Sequence, residues 1–361
     1  MTNFIDLNDF CLTDVSDLVY DALKIKENVA GFSNKMNGKI LGSLFFEPST
    51  RTQFSFQSAM LRLGGNFLGF SDPSVSSILK GESFSDTIRM VSANSDLIVI
   101  RHKRDGAARA ASFYSSCPII NAGDGTHLHP TQTLTDLLTL KQLKNGFSNL
   151  TIGFCGDLKF GRTVNSLAMA LSRFKGNKFV FISTKELKIS SFLADFLQKN
   201  GCSFCERNSL EEAIPELDVL YLTRVQRERF TKTDDYEKQK GRFKLTLNTL
   251  NSAKSNLVVL HPLPRVDEID YEVDNDSRAA YFLQASNGIY ARMALLLKLL
   301  SAKGFQSDFS KANQQGRKLN KVCGNANCIA HFEHDLPKLF VEKEGSFSCI
   351  YCDCTEQKEA H

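Results

Sequence analysis

The sequence predicts an α/β protein with two doubly wound parallel-sheet domains of similar size, followed by a small C-terminal cysteine-rich module. Short apolar runs end in polar, glycine-rich loops that pass into helical patterns, as in residues 39–46 before EPSTRT and residues 151–155 before GDLKFGRT. Strands that alternate with helices in this way form βαβ units, which build parallel sheets. Five of the ten cysteines lie between Cys323 and Cys354, which sets the last part of the chain apart.

Apolar spacing and composition shifts predict the domain boundaries. Phe56, Ala59, Met60 and Leu63 lie at i, i+3, i+4 and i+7, the spacing of a helix face packed on a core. The segment KQLKNGFSN interrupts the apolar pattern, so the first domain is predicted to span residues 1–145 and the second residues 146–303. Residues 304–320 are polar and are interpreted as a linker. Residues 321–361 form the cysteine-rich module.

Composition limits the class of protein. The 361 residues are 42% hydrophobic and 23% charged, as in ordinary globular domains. A net charge of +4 suits small anionic substrates and gives little support for nucleic acid as a partner. No apolar run approaches the ~18 residues of a membrane span, and MTNFIDLNDF shows no secretory signal. We therefore expect no membrane partner and a reducing, cytoplasmic location, where cysteines serve purposes other than disulfides.

The segment EPSTRT is predicted to bind a phosphate group. It lies between an apolar run and an amphipathic helix, so Ser49 or Thr50 can cap the helix, and the free N–H groups of the helix N-terminus attract anions. Arg51 adds a planar fork of donors, and Thr52 adds a hydroxyl. The alternative is a plain capped helix with an exposed arginine.

Further cationic or polar side chains follow the predicted strand ends, where ligands bind in doubly wound sheets. They are Arg101, His129, Gln132, Arg162, Arg224 and Gln226, with His261 and Arg265 in the HPLPR segment. Such a series predicts a pocket for substrates with several negative charges. GDLKFGRT has the glycine spacing of a nucleotide P-loop but lacks its lysine, which excludes ATP or GTP there. Since no activated nucleophile is evident, the expected chemistry is a transfer driven by positioning and charge stabilisation.

These motifs resemble aspartate carbamoyltransferases over roughly residues 1–303. The resemblance is carried by FFEPSTRT, GESFSDT, RHKRDGAAR, NAGDGTHLHPTQT, GDLKFGRTVNSL, TRVQRERF, HPLPRVDEI and NGIYARMALL. HPLPR and TRVQ favour aspartate as the acceptor, because ornithine enzymes typically carry an HCLP-type loop. The resemblance implies transfer of the carbamoyl group of carbamoyl phosphate to L-aspartate in pyrimidine synthesis. It also implies direct attack by the amine, without a covalent enzyme intermediate.

The resemblance assigns a role to each matching residue. Ser49, Thr50, Arg51 and Thr52 would hold the phosphate; Arg101, His129 and Thr52 would polarise the carbamoyl carbonyl, and Gln132 would hold the carbamoyl amide. Arg162, Arg224 and Gln226 would bind the aspartate carboxylates. Leu263 would present a backbone carbonyl to the donor amide, beside Pro264. Ser76 and Lys80 match a loop that reaches a neighbouring subunit's site, which implies a homotrimer or trimer-based assembly with active sites shared between chains.

Some positions depart from the family pattern or stay open. Gln53 replaces a second arginine, and Lys103 replaces a proline, so domain closure or loop rigidity could differ. His102 and His127 either contribute to the site or only satisfy local loop hydrogen bonds. Asp124 and Asp157 are interpreted as turn or cap residues, and the CxxC pair Cys202 and Cys205 as incidental thiols.

Two cysteine pairs near the C-terminus predict structural Zn²⁺. Cys323-x4-Cys328 and Cys349-x2-Cys352 have the spacing of two knuckles that supply four thiolates, with Cys354 as the rival of Cys352. A module of this size buries little core, so the metal would supply most of its folding energy. The module is therefore expected to be a small zinc-binding β domain. It resembles the zinc domain of the regulatory chain of bacterial aspartate carbamoyltransferase, here fused to the catalytic chain without its nucleotide-binding domain, which implies a role in assembly.

Three other interpretations compete with this one. The acceptor could be another amino acid such as ornithine, although two arginines in the acceptor half favour a dicarboxylate. The chain could be a non-catalytic scaffold, although every expected site residue is present. It could also be a zinc-ribbon nucleic-acid binder, although the module lacks a dense Lys/Arg stripe.

Overall fold

The chain forms two compact units in the computed structural model, which describes residues 2–227, 230, 233–301, 316–319, 321–343 and 346–357. Unit 1 contains Met1–Thr131 and Ile289–His361, and unit 2 contains Gln132–Gly288. The chain passes between the units within two helices, Pro130–Lys144 and Tyr281–Leu300. Within the described ranges, no helix is long and apolar enough to cross a membrane.

Unit 1 is built on a parallel sheet with strand order β2-β1-β3-β4. The strands are β1 (Ile40–Phe45), β2 (Asn66–Phe70), β3 (Leu97–His102) and β4 (Ile119–Asp124), and the helices are α1 (Leu12–Glu27), α2 (Thr50–Arg62), α3 (Phe84–Ala93) and α4 (Ala107–Ser112). Every residue of β4 is buried, as expected for a parallel strand with both faces covered. The strand order reverses between β1 and β3. The carboxyl ends of these two strands therefore border the crevice where doubly wound sheets bind ligands.

Unit 2 contains a second parallel sheet, with strand order β7-β6-β5-β8-β9. The strands are β5 (Thr151–Cys155), β6 (Lys178–Ile182), β7 (Ser203–Arg207), β8 (Val219–Leu222) and β9 (Val258–Leu260). The helices that carry residues of this unit are α5 (Pro130–Lys144), α6 (Arg162–Leu171), α7 (Ser191–Lys199), α8 (Leu210–Ala213), α9 (Thr233–Gln239), α10 (Leu247–Leu250) and α11 (Tyr281–Leu300). The strand order reverses between β5 and β8, which places a second crevice at their carboxyl ends.

The third sheet lies in the C-terminal module and is antiparallel, with strand order β10-β11-β12-β13. Its strands are β10 (Arg317–Lys318), β11 (Leu339–Lys343), β12 (Ser346–Cys349) and β13 (Thr355–Gln357). These three sheets confirm the predicted fold class.

The division by contacts differs from the boundaries predicted from the sequence. The predicted boundary between residues 145 and 146 lies in the loop after α5, but residues 132–144 of α5 belong to unit 2. There Gln284 Nε2 donates to Asp136 Oδ1 (2.6 Å) and Asn287 Nδ2 donates to Thr139 Oγ1 (3.0 Å), which ties α5 to the first half of α11.

The predicted linker also differs, because its residues Arg317 and Lys318 form strand β10. This short edge strand pairs through its backbone and has polar side chains. Its sequence therefore lacks the apolar pattern by which a strand can be predicted. Residues 302–315 and 320 of the linker region lie outside the described residues.

Candidate active site

The loop after β1 places the predicted phosphate-binding residues at the crevice of unit 1. Ser49 is the N-cap residue of α2, and its Oγ donates to Thr52 Oγ1 (3.0 Å) instead of capping the helix. The Ser49 side chain thus gives α2 no cap, and the N-terminal end of a helix attracts anions through its N–H groups. Thr52 is buried, whereas Thr50 and Arg51 are exposed on the same turn. Phe56 and Met60 hold the helix against the sheet through the predicted apolar stripe.

Arg101 lies at the end of β3, on the other side of the same strand reversal. Its Nη2 is 3.2 Å from Glu47 Oε2, and its Nη1 donates to the carbonyl of Ala122 (3.3 Å). Only 12% of its side chain is exposed. These two contacts fix the guanidinium between the loop after β1 and the end of β4. The sequence motif contained Glu47 but gave no sign that it pairs with Arg101.

His129 is buried in the loop that joins β4 to α5, and its Nδ1 is 3.4 Å from Thr131 Oγ1. The loop is organised by Asp124, whose carboxylate accepts hydrogen bonds from Gly106 N (2.7 Å) and Leu128 N (3.2 Å). Burial alone would raise the pKa of Asp124, but the contact with His127 and these hydrogen bonds outweigh it and lower that pKa. Asp124, the last residue of β4, is thus ionised, and its carboxylate accepts from the backbone of the loop that follows.

Ser76 and Lys80 lie in a separate segment of unit 1. Ser76 Oγ donates to the carbonyl of Pro73 (2.7 Å) and accepts from Ile78 N (3.4 Å), so its hydroxyl shapes a pair of 3₁₀ turns. Lys80 is exposed. Among the described residues, neither forms a hydrogen bond or ion pair with the phosphate loop of this chain.

Unit 2 brings the predicted acceptor residues to its own strand reversal. Arg162 is the first residue of α6, after the loop that follows β5, and Arg224 follows β8. Gln226 connects these loops, since its Nε2 donates to the carbonyl of Phe160 (3.2 Å). A Cβ on Gly156, where φ is +113°, would lie 2.2 Å from the carbonyl oxygen of Thr223, so only glycine lets the two loops approach.

The HPLPR segment is fixed by a buried histidine. The N–H of Leu263 donates to His261 Nδ1 (2.8 Å), which leaves the imidazole proton on Nε2, 2.7 Å from Glu268 Oε1. Burial opposes ionisation of Glu268, but the contact with His261 lowers its pKa. Leu263 has a positive φ of +53° and a cis bond to Pro264. The loop thus holds the Leu263 backbone in a conformation that non-glycine residues seldom adopt.

A chain of hydrogen bonds joins this loop to Gln132. Gln132 Nε2 donates to Asp136 Oδ1 (2.8 Å), which also accepts from Gln284 Nε2 (2.6 Å). Gln284 Oε1 in turn accepts from His261 N (2.8 Å). The sequence gave no sign that Asp136 and Gln284 pair, because they are 148 positions apart. The only local signal was the four-residue spacing from Gln132 to Asp136 on one helix face.

The four cysteines predicted as zinc ligands meet at one point of the C-terminal module. All their Sγ atoms lie within 4.8 Å of one another, with 3.5 Å between Cys323 and Cys352 and 3.9 Å between Cys328 and Cys349. Four thiolates at the usual ~2.3 Å from a tetrahedral Zn²⁺ are about 3.8 Å apart, so the donor set fits this ion. Cys354 is outside the group and accepts a hydrogen bond from Cys349 N through its carbonyl (2.9 Å).

Two family models match the chain. The carbamoyl-phosphate-binding domain of aspartate/ornithine carbamoyltransferases matches residues 2–142, and the aspartate/ornithine-binding domain matches residues 148–299. The chain belongs to the aspartate/ornithine carbamoyltransferase family. An aspartate carbamoyltransferase catalytic subunit of Clostridium botulinum (strain Eklund 17B / Type B) is 56% identical over 299 residues, covering 82% of this chain and 97% of the relative.

Solved structures of carbamoyltransferases resemble the same part of the chain. The catalytic subunit of M. jannaschii aspartate transcarbamoylase is 45% identical with a TM-score of 0.78, covering 83% of this chain and 98% of that one. Aspartate transcarbamoylase from Trypanosoma cruzi, in complex with carbamoyl aspartate and phosphate, is 36% identical with a TM-score of 0.79. That match covers 83% of this chain and 96% of the T. cruzi chain.

Proposed function

We propose that this chain is an aspartate carbamoyltransferase, which converts carbamoyl phosphate and L-aspartate to N-carbamoyl-L-aspartate and phosphate in de novo pyrimidine biosynthesis. The observation that carries the proposal is the placement of cationic side chains at the strand reversal of each sheet. Unit 1 offers a helix N-terminus with Arg51 and Arg101, and unit 2 offers Arg162 and Arg224. The T. cruzi relative, solved with carbamoyl aspartate and phosphate, supports this reaction.

Unit 1 residues act on the donor. The amides at the start of α2, with Ser49, Thr50, Arg51 and Thr52, bind the phosphate. Arg101, His129 and Thr52 donate to the carbamoyl oxygen as it gains negative charge. A hydroxyl proton given by Thr131 to His129 Nδ1 would place the imidazole proton on Nε2, where it can be donated to that oxygen.

The acceptor is held by unit 2. Arg162, Arg224 and Gln226 bind the two carboxylates of aspartate, while Gln132 and the backbone carbonyl of Leu263, beside Pro264, orient the carbamoyl amide. The neutral amine of aspartate attacks the carbamoyl carbon, the C–O bond to phosphate breaks, and the leaving phosphate takes the amine proton. No side chain forms a covalent bond with the substrate in this sequence of steps.

An acceptor assay tests the proposal. Purified protein is incubated with carbamoyl phosphate and either L-aspartate or L-ornithine, and the carbamoylated product and phosphate are quantified. We expect N-carbamoyl-L-aspartate and phosphate in equal amounts. Preferential formation of citrulline would show that the chain is an ornithine carbamoyltransferase. Absence of product with either acceptor would favour the alternative that the chain is a non-catalytic scaffold.

The assembly is proposed to be a homotrimer or a trimer-based oligomer with sites shared between chains. Supporting it, Phe54, Leu61 and Phe67 are 62%, 54% and 39% exposed and, with Gln57 and Arg62, line one groove beside the edge strand β2. Apolar side chains exposed together mark an interaction surface. Ser76 and Lys80 would then complete the site of a neighbouring copy.

Mixing two inactive variants tests the shared site. Lys80→Ala and His129→Ala, dissociated and reassembled together, should regain activity, because some sites in the hybrid contain both native residues. Arg51→Ala with His129→Ala is the matched control and should regain none. Equal failure of both mixtures would show that each chain completes its own site.

The module is proposed to bind one structural Zn²⁺ through Cys323, Cys328, Cys349 and Cys352. It would correspond to the zinc domain of a regulatory chain fused to the catalytic chain. The shell of four thiolates leaves no open position, so the ion would stabilise the fold and take no part in the transfer. Zinc binding requires reduced cysteines, and cysteines stay reduced in the cytoplasm, which is the location that we propose. Metal analysis of the purified protein should give one zinc per chain, and none would refute the assignment.

A further inference from the structure

Within unit 1, the cysteine module contacts the loops that follow β3 and β4. Asp105, in the loop after β3, is buried, and its carboxylate accepts from Asn325 Nδ2 (2.8 Å) and Asn327 Nδ2 (3.1 Å) of the module. The same carboxylate accepts from Thr126 N (2.7 Å), in the loop after β4. Backbone bonds add to this contact, from Asp105 N to the carbonyl of Asn327 and from Ile329 N to the carbonyl of Asp105.

A second contact lies closer to the proposed oxyanion donor. The imidazole of His127 is held between two carboxylates, with Nδ1 3.2 Å from Asp124 Oδ2 and Nε2 3.2 Å from Asp353 Oδ2. Asp353 belongs to the module, between Cys352 and Cys354, and 14% of its side chain is exposed. His127 is two positions before His129. The module therefore contacts the loop that carries His129 within two residues of that side chain.

The loop that carries His129 depends on such contacts for its shape. Gly123 and Gly125 have positive φ values of +113° and +49° and allow the backbone many conformations in the absence of restraints. Hydrogen bonds of the loop converge on Asp124, whose carboxylate contacts both Leu128 N and His127 Nδ1. Replacing Asp353 removes one of the two carboxylates that hold His127 and therefore weakens this network.

We propose that His127 and Asp353 are positioning residues, through which the cysteine module holds the loop after β4 and thereby the imidazole of His129. This inference rests on the proposed function, in which His129 donates to the carbamoyl oxygen. The two residues touch neither substrate. They act through the placement of His129, for which a displacement of ~1 Å can lower the rate up to about a hundredfold.

The test uses the full-length, zinc-loaded protein with changes at both ends of the contact. Asp353→Gly is preferred to alanine, because Asp353 has a φ of +61° and glycine adopts this conformation without strain. Asp353→Asn keeps an acceptor for His127 Nε2 and tolerates the same backbone, so it is the conservative variant. Asp335→Ala is the control, because it removes an exposed carboxylate of the module whose contact with unit 1 is made by the backbone carbonyl, with Tyr114.

We expect Asp353→Gly and His127→Ala each to lower kcat roughly tenfold. The KM for aspartate should stay within about twofold of that of the native protein, since its ligands lie in unit 2. The double variant should be no slower than the slower single variant, because both changes remove one contact. Asp353→Asn should recover most of the rate, and Asp335→Ala should behave as the native protein. A kcat in Asp353→Gly and His127→Ala equal to the native value, with zinc retained, overturns the proposal.

Hydrogen exchange of the amides of residues 124–129 separates this inference from the proposed function. Faster exchange in Asp353→Gly and His127→Ala, with native rates in Asp335→Ala, shows that the contact holds the loop even if the native protein makes no carbamoylaspartate. Unchanged exchange overturns the inference while leaving the transferase activity standing. Should Asp353→Gly lose its zinc, His127→Ala decides, because His127 lies outside the module.

Discussion

Gly106 provides a direct test of how the cysteine module packs against unit 1. It is the N-cap residue of α4, with a φ of +81°. A Cβ at this position would lie 2.6 Å from the carbonyl carbon of Tyr351 and 2.7 Å from its oxygen. Gly38 is a matched control in the same unit, because it has a φ of +76° and no atom within 4 Å of the corresponding Cβ. Gly106→Ala and Gly38→Ala therefore share the backbone strain and differ in the contact with the module.

The expected magnitudes follow from these two terms. Alanine in the left-handed conformation costs roughly 1–2 kcal/mol in both variants. Overpacking against the Tyr351 backbone adds about 1–3 kcal/mol in Gly106→Ala alone. The excess should appear in the opening of the module, because its backbone must move away from α4. An excess of that size corresponds to exchange that is about 5- to 150-fold faster for the amides of the module.

The assay is native-state hydrogen exchange of residues 346–352 in the zinc-loaded proteins. A local measurement suits this protein better than a global unfolding midpoint, because a chain of several units does not unfold in two states. Gly106→Ala should show accelerated exchange in this segment, and Gly38→Ala should not. Equal exchange in the two variants would refute the packing of Tyr351 on Gly106 and the contacts inferred from it.

Three further results are expected. His129→Ala should lower kcat by about 10²–10³-fold, the loss typical of one oxyanion donor; steady-state kinetics checks this, and a loss confined to KM would contradict the role. Arg224→Gln should raise the KM for aspartate far more than the KM for carbamoyl phosphate. A larger rise in the KM for carbamoyl phosphate would contradict the assignment of Arg224 to the aspartate carboxylates. Burial, with Lys103 and Arg104 nearby, lowers the pKa of His102 to about 3, against ~6.5 when unfolded. The unfolded chain therefore binds the proton first as pH falls, so the stability that neutral His102 provides is complete above about pH 6.5 and is lost towards pH 3, by at most ~1.4 kcal/mol per pH unit. His102→Asn keeps an acceptor for Arg104 N and should unfold in urea with a shallower pH dependence; an identical pH dependence would show that other groups cause it.

The sequence predicted the sheets for a physical reason, and the same reason guided the choice of candidate site residues. Buried parallel strands are short apolar runs, and ligand-binding groups follow their carboxyl ends, so both signals are local in sequence. Arg51 follows β1, Arg101 lies near the end of β3, and Arg162 and Arg224 follow β5 and β8, at the two strand reversals. The strand order could not be predicted from the sequence alone. It is this order that determines which loops lie next to each other in each sheet.

The supporting contacts could not be predicted because they join distant segments. The pair formed by Glu47 and Arg101, and the hydrogen bond from Gln284 to Asp136, follow no local pattern. The same holds for His127 and Asp353, which are 226 positions apart. The sequence left the role of His127 open between a site residue and a local loop partner. The structure shows a partner within its loop and one in the cysteine module.

The cysteine module and the parallel-sheet part of unit 1 share one apolar core. One cluster of buried side chains includes Ala107 and Ala111 of α4 together with Cys328, Ile329 and Tyr351 of the module. Small alanine side chains let the module approach α4 closely, and a helix of this kind would expose apolar surface without that cover. The four-cysteine group, the apolar core of unit 1 and the segments that carry Arg101 and His129 therefore form one continuous structure. The module is therefore part of unit 1 in its packing, and its role in assembly stays a prediction.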